Sequence, residues 1–477
     1  MKLLVDNHYK NACSDDSLIL RAACRKLVLE FVVKASRYAK VRAFGVKLQP
    51  SHLDVDDLRD LVEEYNLGAS VESAWKSELR LPEKQAFTRE HGDGVEIRLE
   101  YALEVLSQLL DYSLQMTLAF DVNGIDCIID TNRRAGSQTP EAIMFPLCDA
   151  DDLLLAVLYN ELDPGQHDLV CVDEVQNLTV SELLFFQAMI KIGGTGLGVG
   201  AYDQTTMAWR GGSLEKVKEV FDVAEALKHE MNENFRSGSE IVKAAMPFIV
   251  GAGGLTNIIC PRGIQGKVAN ATFFDEPIDL RETTRVIARC VSDIVAVYIA
   301  LLRRGYPVAL HGAEDTGQNL QNVYNSSVGS QMPLANALTA MTRMNHATAR
   351  SSVNEECDFR AALLHLIKAY IADPIHGQQR AMAKEPGSAS NFFKWLKEYL
   401  KPGVGGEGVV MCSTIHGAQG REARTVFIVE PKNVPLQERI DKCGWQAQEE
   451  YSIANVAYTR AMDKLVLLPH LGDVGFA

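Results

Sequence analysis

The stretch His167–Leu178 (HDLVCVDEVQNL) constrains the fold more than any other part of the chain. Leu169–Val172 is a short, unbroken apolar run ending in two adjacent acids. That pattern predicts a strand buried on both faces, delivering Asp173 and Glu174 to the carboxyl edge of a parallel sheet. Open α/β sheets bind their ligands at that edge. The two acids with Val175 and Gln176 suit phosphoryl chemistry: Asp173 would hold a magnesium ion through its water shell, Glu174 would polarise the water attacking a γ-phosphate, and Gln176 would pass nucleotide state onward. The same residues also suit a plain strand and an acidic turn, and the motif alone does not separate the two.

Composition bounds the rest. With 477 residues, 47% hydrophobic and 23% charged, the chain can bury more than one core, and a prior of ~150 residues per domain gives two to four domains. The net charge of −14 argues against a broadly basic nucleic-acid coat, although a local groove can still be positive. The ten cysteines form no CxxC pair, and Cys171 and Cys412 lie inside apolar runs. They read as reduced core residues of a cytoplasmic protein, without a zinc site or disulfide framework. There is no N-terminal signal and no apolar run of ~18 residues, which speaks against export and membrane spanning.

Along the chain, residues 1–130 carry helical patterning, as in LILRAACRKLVLEFVVKASRYAKV, and read as a mainly helical accessory region. From Ala142 strands and helices alternate. Thr179 and Glu182 form a T-x-x-E capping box predicting a helix through Ile190 that Gly193–Gly194 closes. A glycine-rich strand (GLGVG) then leads to AYDQTTMAWRGG. There Gln204 is placed to sense a γ-phosphate, and Trp209 beside Arg210 offers a surface for stacking a base, with a core aromatic as the alternative. Arg236 precedes an apolar helix and suits either an ion pair or charge donation to a phosphoryl group. VIARC, VSDIVAVYIALLRRG and YPVALHG make one β–α–β unit, residues 321–408 read as a helical insertion, and the closing segments GVVMCSTIHGAQGREARTVFIVEP and EEYSIANVAYTRAMDKLVLLPH read as strands. No GxxxxGK[ST] phosphate loop occurs; Gly312–Gly317 is the nearest match, with Gln318 and Asn319 where Lys and Ser/Thr are required.

Taken together, these segments resemble the UvrD-like branch of superfamily 1 helicases over roughly residues 20–470. VDEVQ (172–176) resembles the magnesium and water motif, VGAYDQTTMAWRGG (199–212) the γ-phosphate sensor and base-stacking motif, and NENFRSG (232–238) the first arginine finger. TIHGAQGREARTVF (414–427) resembles the motif joining DNA contact to the nucleotide ribose, and EEYSIANVAYTRA (449–461) the one carrying the second finger, Arg460. The resemblance implies an α/β fold of two RecA-like parallel-sheet lobes of the P-loop NTPase type, with helical insertions. The first lobe (131–225) is incomplete, and the second comprises 226–320 and 409–477. It implies ATP and Mg2+ as cofactors and 3′-to-5′ movement on single-stranded DNA. It further implies that Phe235 stacks on adenine, Glu422 binds ribose, and Thr414 and His416 lie near nucleic acid.

Departures from the family pattern are Ala201 for aspartate, Met207 for tyrosine, Gln419 for lysine and Asn177 for an acid. The phosphate loop and first DNA-contacting motif are absent from these residues. Two functions therefore compete: an ATP-dependent motor whose phosphate loop comes from upstream coding sequence or another polypeptide, or a helicase-derived module that grips single-stranded nucleic acid or a protein without hydrolysis. Such a first lobe would expose a sheet edge and an apolar face.

Overall fold

The computed structural model describes residues 5, 8–9, 18–42, 57–118, 154–155, 157–158, 164–212, 214–223, 225–272, 278–329, 332–348, 355–372, 389–402, 407–441 and 444–469. The chain divides into two compact units, Met1–Gly200 with Met207–Lys228, and Ala201–Thr206 with His229–Ala477.

The first unit opens with helices α1 (Leu18–Val41), α2 (Leu58–Glu64), α3 (Gly68–Ser77), α4 (Leu81–His91) and α5 (Val95–Leu118). Buried Leu27, Val28, Phe31, Val32, Ala35 and Ala39 recur at helical spacing along α1, and this stripe packs on α3, α4 and α5. Two parallel strands follow, β1 (His167–Val172) and β2 (Ile190–Gly198), linked through α6 (Val180–Ala188); α7 (Leu214–Val223) comes after them. The layers are tied together where Ser181 Oγ donates to Lys40 O at 2.7 Å and the Tyr38 hydroxyl donates to Trp209 O at 2.8 Å.

Two sequence expectations are corrected here. The strand β1 is not buried on both faces: Leu169 is 60% exposed and Cys171 is exposed, while the alternating Val170 and Val172 are half-buried. One face is covered, with Phe186 approaching Gly196 and Phe221 approaching Gly198, and a four-residue apolar run does not reveal how many faces will be covered. The capping box of α6 forms as expected, Glu182 N donating to Thr179 Oγ1 and Thr179 N to Glu182 Oε2. The helix nevertheless ends at Ala188, and Gly193–Gly194 lies inside β2. A Cβ at Gly194 would meet the carbonyl oxygens of Lys191, His167 and Asp168 at 2.9–3.1 Å, so this glycine serves close strand approach, not helix termination.

The second unit contains α8 (Ser239–Gly251), β3 (Lys267–Asn270), β4 (Thr284–Ala288), α9 (Val291–Arg303) and β5 (Val308–Leu310). Helices α10 (Ala313–Val328), α11 (Leu334–Thr348), α12 (Glu355–Ala372) and α13 (Ala389–Tyr399) follow. The unit closes with β6 (Val410–Thr414), β7 (Ala423–Val429), α14 (Gly444–Thr459) and β8 (Ala461–Leu468). Its six strands are all parallel in the order β3-β8-β7-β4-β6-β5. Alternation along the strands splits the core in two. Val286, Ala288, Cys412, Phe427 and Val429 pack with α9 to α13 on one face, and Ile287, Val426 and Ile428 pack with α8 and α14 on the other. The helices α10 to α13 thus share the core of the sheet. EEYSIANVAYT, read as strand, is helical: it forms the end of α14, where Glu449 through Tyr458 are buried apart from Tyr451. A helix buried on nearly every side has no polar face to give it a period. Gly312–Gly317 forms no phosphate loop, since β5 runs through Gly312, at φ +69°, directly into α10.

Candidate functional site

In the first unit Asp173 and Glu174 follow β1 at its carboxyl end, and both carboxylates are exposed. The turn is pinned: Val199 N donates to Val172 O at 2.8 Å and Val175 N to Val199 O at 3.0 Å. Glu174 sits at φ 55°, in the left-handed region, a conformation that costs energy for a residue with a Cβ and is retained where the surroundings hold it. What holds it is Gln176, which is buried and donates from Nε2 to Glu174 Oε2 at 2.6 Å. Gly200 leaves the space for this side chain, because a Cβ there would stand 2.3 Å from Gln176 Oε1. The result is an exposed carboxylate fixed in position by a buried carboxamide, suited to holding and polarising a water.

Trp209 lies in the same unit and is 44% exposed, so it is not a core aromatic. Arg210 beside it is committed, its Nη2 lying 2.9 Å from Oε1 of Glu182, the residue that caps α6.

In the second unit, residues far apart in sequence converge at the amino ends of β7 and β8. Glu422 immediately precedes β7 and is exposed, and Arg460 immediately precedes β8. Ala423 N donates to Arg460 O at 3.0 Å. The Phe235–Ser237 bend is drawn to the same place, with Ser237 Oγ donating to Thr459 O at 3.3 Å across 222 residues and Gly238 N to Met462 O at 2.9 Å. Phe235 is 57% exposed and Arg236 is exposed, the bend being shaped by Asn234 Oδ1 accepting from Arg236 N and Ser237 N. Arg460 is only 1% exposed, its Nε donating to Val456 O at 3.1 Å.

Thr414 and His416 occupy the opposite, carboxyl end of β6. Thr414 Oγ1 accepts from Gly417 N at 3.2 Å, which closes the turn. The half-buried His416 has a pKa pushed down to about 4 by burial and by the neighbouring Arg289, so it is neutral near pH 7 and offers no positive charge to a phosphate. Residues 415–422 run from this end of the sheet to the amino end of β7. Gln419 in that loop accepts a 2.7 Å bond from Thr206 Oγ1. Gln204 belongs to this unit, on the Ala201–Thr206 segment, where Asn455 Nδ2 donates to Asp203 O at 3.0 Å and Asp203 Oδ2 at 2.9 Å.

One cluster escaped the sequence reading. The buried carboxylates of Glu449 and Glu450 meet Arg439 and Arg289, with Arg289 Nη2 2.7 Å from Glu450 Oε1 and Arg439 Nη2 2.8 Å from Glu449 Oε2. The backbone of Leu436 also donates to Glu450. Nearby, Asp358 caps α9 by accepting from Val291 N at 2.6 Å and Ser292 N at 2.8 Å. The paired acids at the head of a buried segment were the available signal, since buried charges require partners.

No family model matches the chain, and no curated protein matches it. Among the described residues no group of three His, Cys, Asp or Glu side chains could cage a metal. A magnesium ion retains waters and takes one or two carboxylates with substrate phosphates, so the Asp173–Glu174 pair fits such an ion and not a metal caged wholly by protein. Among the described residues no helix is long and apolar enough to cross a membrane.

Proposed function

We propose that this chain is the body of a UvrD-like, superfamily 1 ATP-dependent translocase or helicase acting 3′ to 5′ on single-stranded DNA, each unit being a RecA-like lobe. The observation that carries the proposal is the amino edge of β7 and β8, where bonds from Ser237 to Thr459, Gly238 to Met462 and Ala423 to Arg460 tie together the chain segments that carry Arg236, Arg460 and Glu422. Those are the residues that the resemblance assigns to the two arginine fingers and to ribose. The 415–422 loop, spanning the sheet from Thr414 to Glu422, suits a motif that links DNA contact to nucleotide. In the other lobe Asp173 would hold Mg2+, Glu174 would orient and deprotonate the attacking water, and Gln176 would keep Glu174 in place. Bound magnesium would neutralise charge on the phosphates.

No GxxxxGK[ST] occurs in the sequence, and we assign that loop to a strand–loop–helix supplied in cis or in trans. Its docking place is the β1–β2 sheet, whose outer edges pair with no further strand among the described residues and whose Leu169 and Leu197 side chains are exposed. The competing function, a binding module without hydrolysis, is favoured by Ala201 and by Gln419, which is engaged by Thr206 instead of carrying a positive charge.

The motor, and the binding module in its nucleic-acid form, both require a grip on a single strand. A stacked base contributes ~1–3 kcal/mol, so Trp209→Ala is expected to weaken binding of a labelled oligonucleotide about tenfold or more. Fluorescence anisotropy at low salt tests this; equal affinities of wild type and variant would remove the stacking role.

A further inference from the structure

The second unit contains a cavity of about 380 Å³ that shares no residue with the candidate site. Gln321 and Asn325 line it from α10, and Ser390, Phe393, Lys394 and Lys397 line it from α13. The spacings place each set on one helical face: Gln321 and Asn325 are four apart, Ser390 and Lys394 four apart, and Lys394 and Lys397 three apart. Tyr324 and Phe393 meet edge to face at 5.3 Å between the two helices. Both rings belong to the core shared with the sheet, so the walls stand on packed supports.

The chemistry of the lining is one-sided. Every polar group is a hydrogen-bond donor or can act as one: two ammoniums, two carboxamides and a hydroxyl. No Asp or Glu lines the cavity, although the chain carries 62 acids against 48 Lys and Arg. Lys394 and Lys397 have no ion pair among the described residues, and both are exposed. Ser390 stands in the first turn of α13, where the helix dipole adds partial positive charge. Phe393 provides an apolar wall, and the volume exceeds what a bare phosphate would fill, matching the lower range of small-ligand sites.

We propose that this cavity binds a phosphate group carried on a nucleotide unit, with Lys394 and Lys397 as charge partners, Gln321, Asn325 and Ser390 as donors, and Phe393 against the sugar or base. The phosphate comes either from a nucleic-acid backbone or from a free mononucleotide. The proposal uses no residue of the motor site and stands independently of the proposed function.

The test compares wild type with Lys394→Gln/Lys397→Gln and with Asn325→Asp, which adds one negative charge at nearly constant size; circular dichroism checks that each is folded. Binding of a labelled DNA oligonucleotide is followed across salt concentrations, and binding of adenosine monophosphate by calorimetry. For a backbone phosphate, the double variant binds the oligonucleotide at least about tenfold more weakly, and the slope of log K against log salt falls by about 2, near one for each lysine. Asn325→Asp weakens binding in the same direction. For a free nucleotide, the oligonucleotide is unaffected while the calorimetric signal disappears in both variants. Trp209→Ala leaves either effect of the lysines in place, which separates this site from the proposed stacking surface. The proposal is overturned if wild type binds neither probe, or if both variants bind both probes as wild type does.

Discussion

Arg236 and Arg460 stand at one edge of the second unit but differ in what a substitution can report. Arg236 is exposed and its removal costs little packing, whereas Arg460 is buried and bonded to Val456 O, so Arg460→Ala costs stability as well as any charge delivered to a ligand. The Arg289–Glu450 pair is a purely structural counterpart. Removing Arg289 leaves the buried Glu450 with Arg439 Nε at 3.3 Å and the Leu436 N–H as partners, so Arg289→Ala is expected to lower unfolding free energy by less than the ~3–5 kcal/mol of a fully uncompensated buried charge. Arg289→Met combined with Glu450→Gln should lose clearly less than the sum of the single changes; additive losses in urea titrations would show that the two do not act as a pair. Asp293 gives a pH-dependent prediction. Burial, with Asp358 and Glu430 nearby, raises its pKa to about 6, opposed by Asn433 and Lys432. The folded state therefore holds a proton between about pH 4 and 6 that the unfolded state has released, and stability falls as pH rises through that window. His416 acts in the opposite sense, its depressed pKa removing stability as pH falls from about 6.5 towards 4. Asp293→Asn should thus stabilise by on the order of 1–2 kcal/mol at pH 7.5, with little gain at pH 4, leaving stability to fall more steeply towards acid than in wild type. Equal denaturation midpoints for the two proteins at pH 7.5 would rule this out.

At the scale of elements, the sequence was informative where local chemistry decides the outcome. The Thr179–Glu182 capping box, the β4–α9–β5 unit and the acids following β1 all stand where pattern and capping rules put them. It was misleading where the environment decides. Leu169–Val172 is an apolar run of the same appearance whether one or two faces are covered, and it is the fold around it that leaves Leu169 and Cys171 turned outwards. EEYSIANVAYT lacks a polar stripe because α14 is enclosed by α8 and the sheet, and its Ile, Val and Tyr residues then suggested a strand. The ion cluster at Glu450 was illegible for a different reason: Arg289 lies 161 residues from it in sequence, and no spacing rule connects such positions. The same holds for the bond from Ser237 to Thr459, 222 residues apart.

For the whole molecule, the two units are interlaced in sequence. Ala201–Thr206 clusters with the second unit while the residues on both sides cluster with the first, and no compositional change marks so short an excursion. Asp203 fastens it through Asn455, and burial raises the pKa of that carboxyl. Gln204 is carried on this segment, so the proposed γ-phosphate sensor belongs to the same unit as Arg236. The central claim, that the chain is the body of an ATP-dependent motor completed by a supplied phosphate loop, is tested most directly by DNA-stimulated ATP turnover. The chain is assayed alone and after joining to, or mixing with, a strand–GxxxxGK[ST]–helix segment from a UvrD-like helicase. Negligible turnover is predicted for the chain alone, because phosphate positioning and charge neutralisation are nearly the whole of this catalysis. Supplementation is predicted to produce turnover that single-stranded DNA stimulates, that Glu174→Gln abolishes, and that Arg236→Ala lowers by about 10³-fold or more with nucleotide binding retained. A supplemented protein that binds ATP without hydrolysing it, or whose turnover is indifferent to Glu174→Gln and Arg236→Ala, would contradict the motor and leave the binding module.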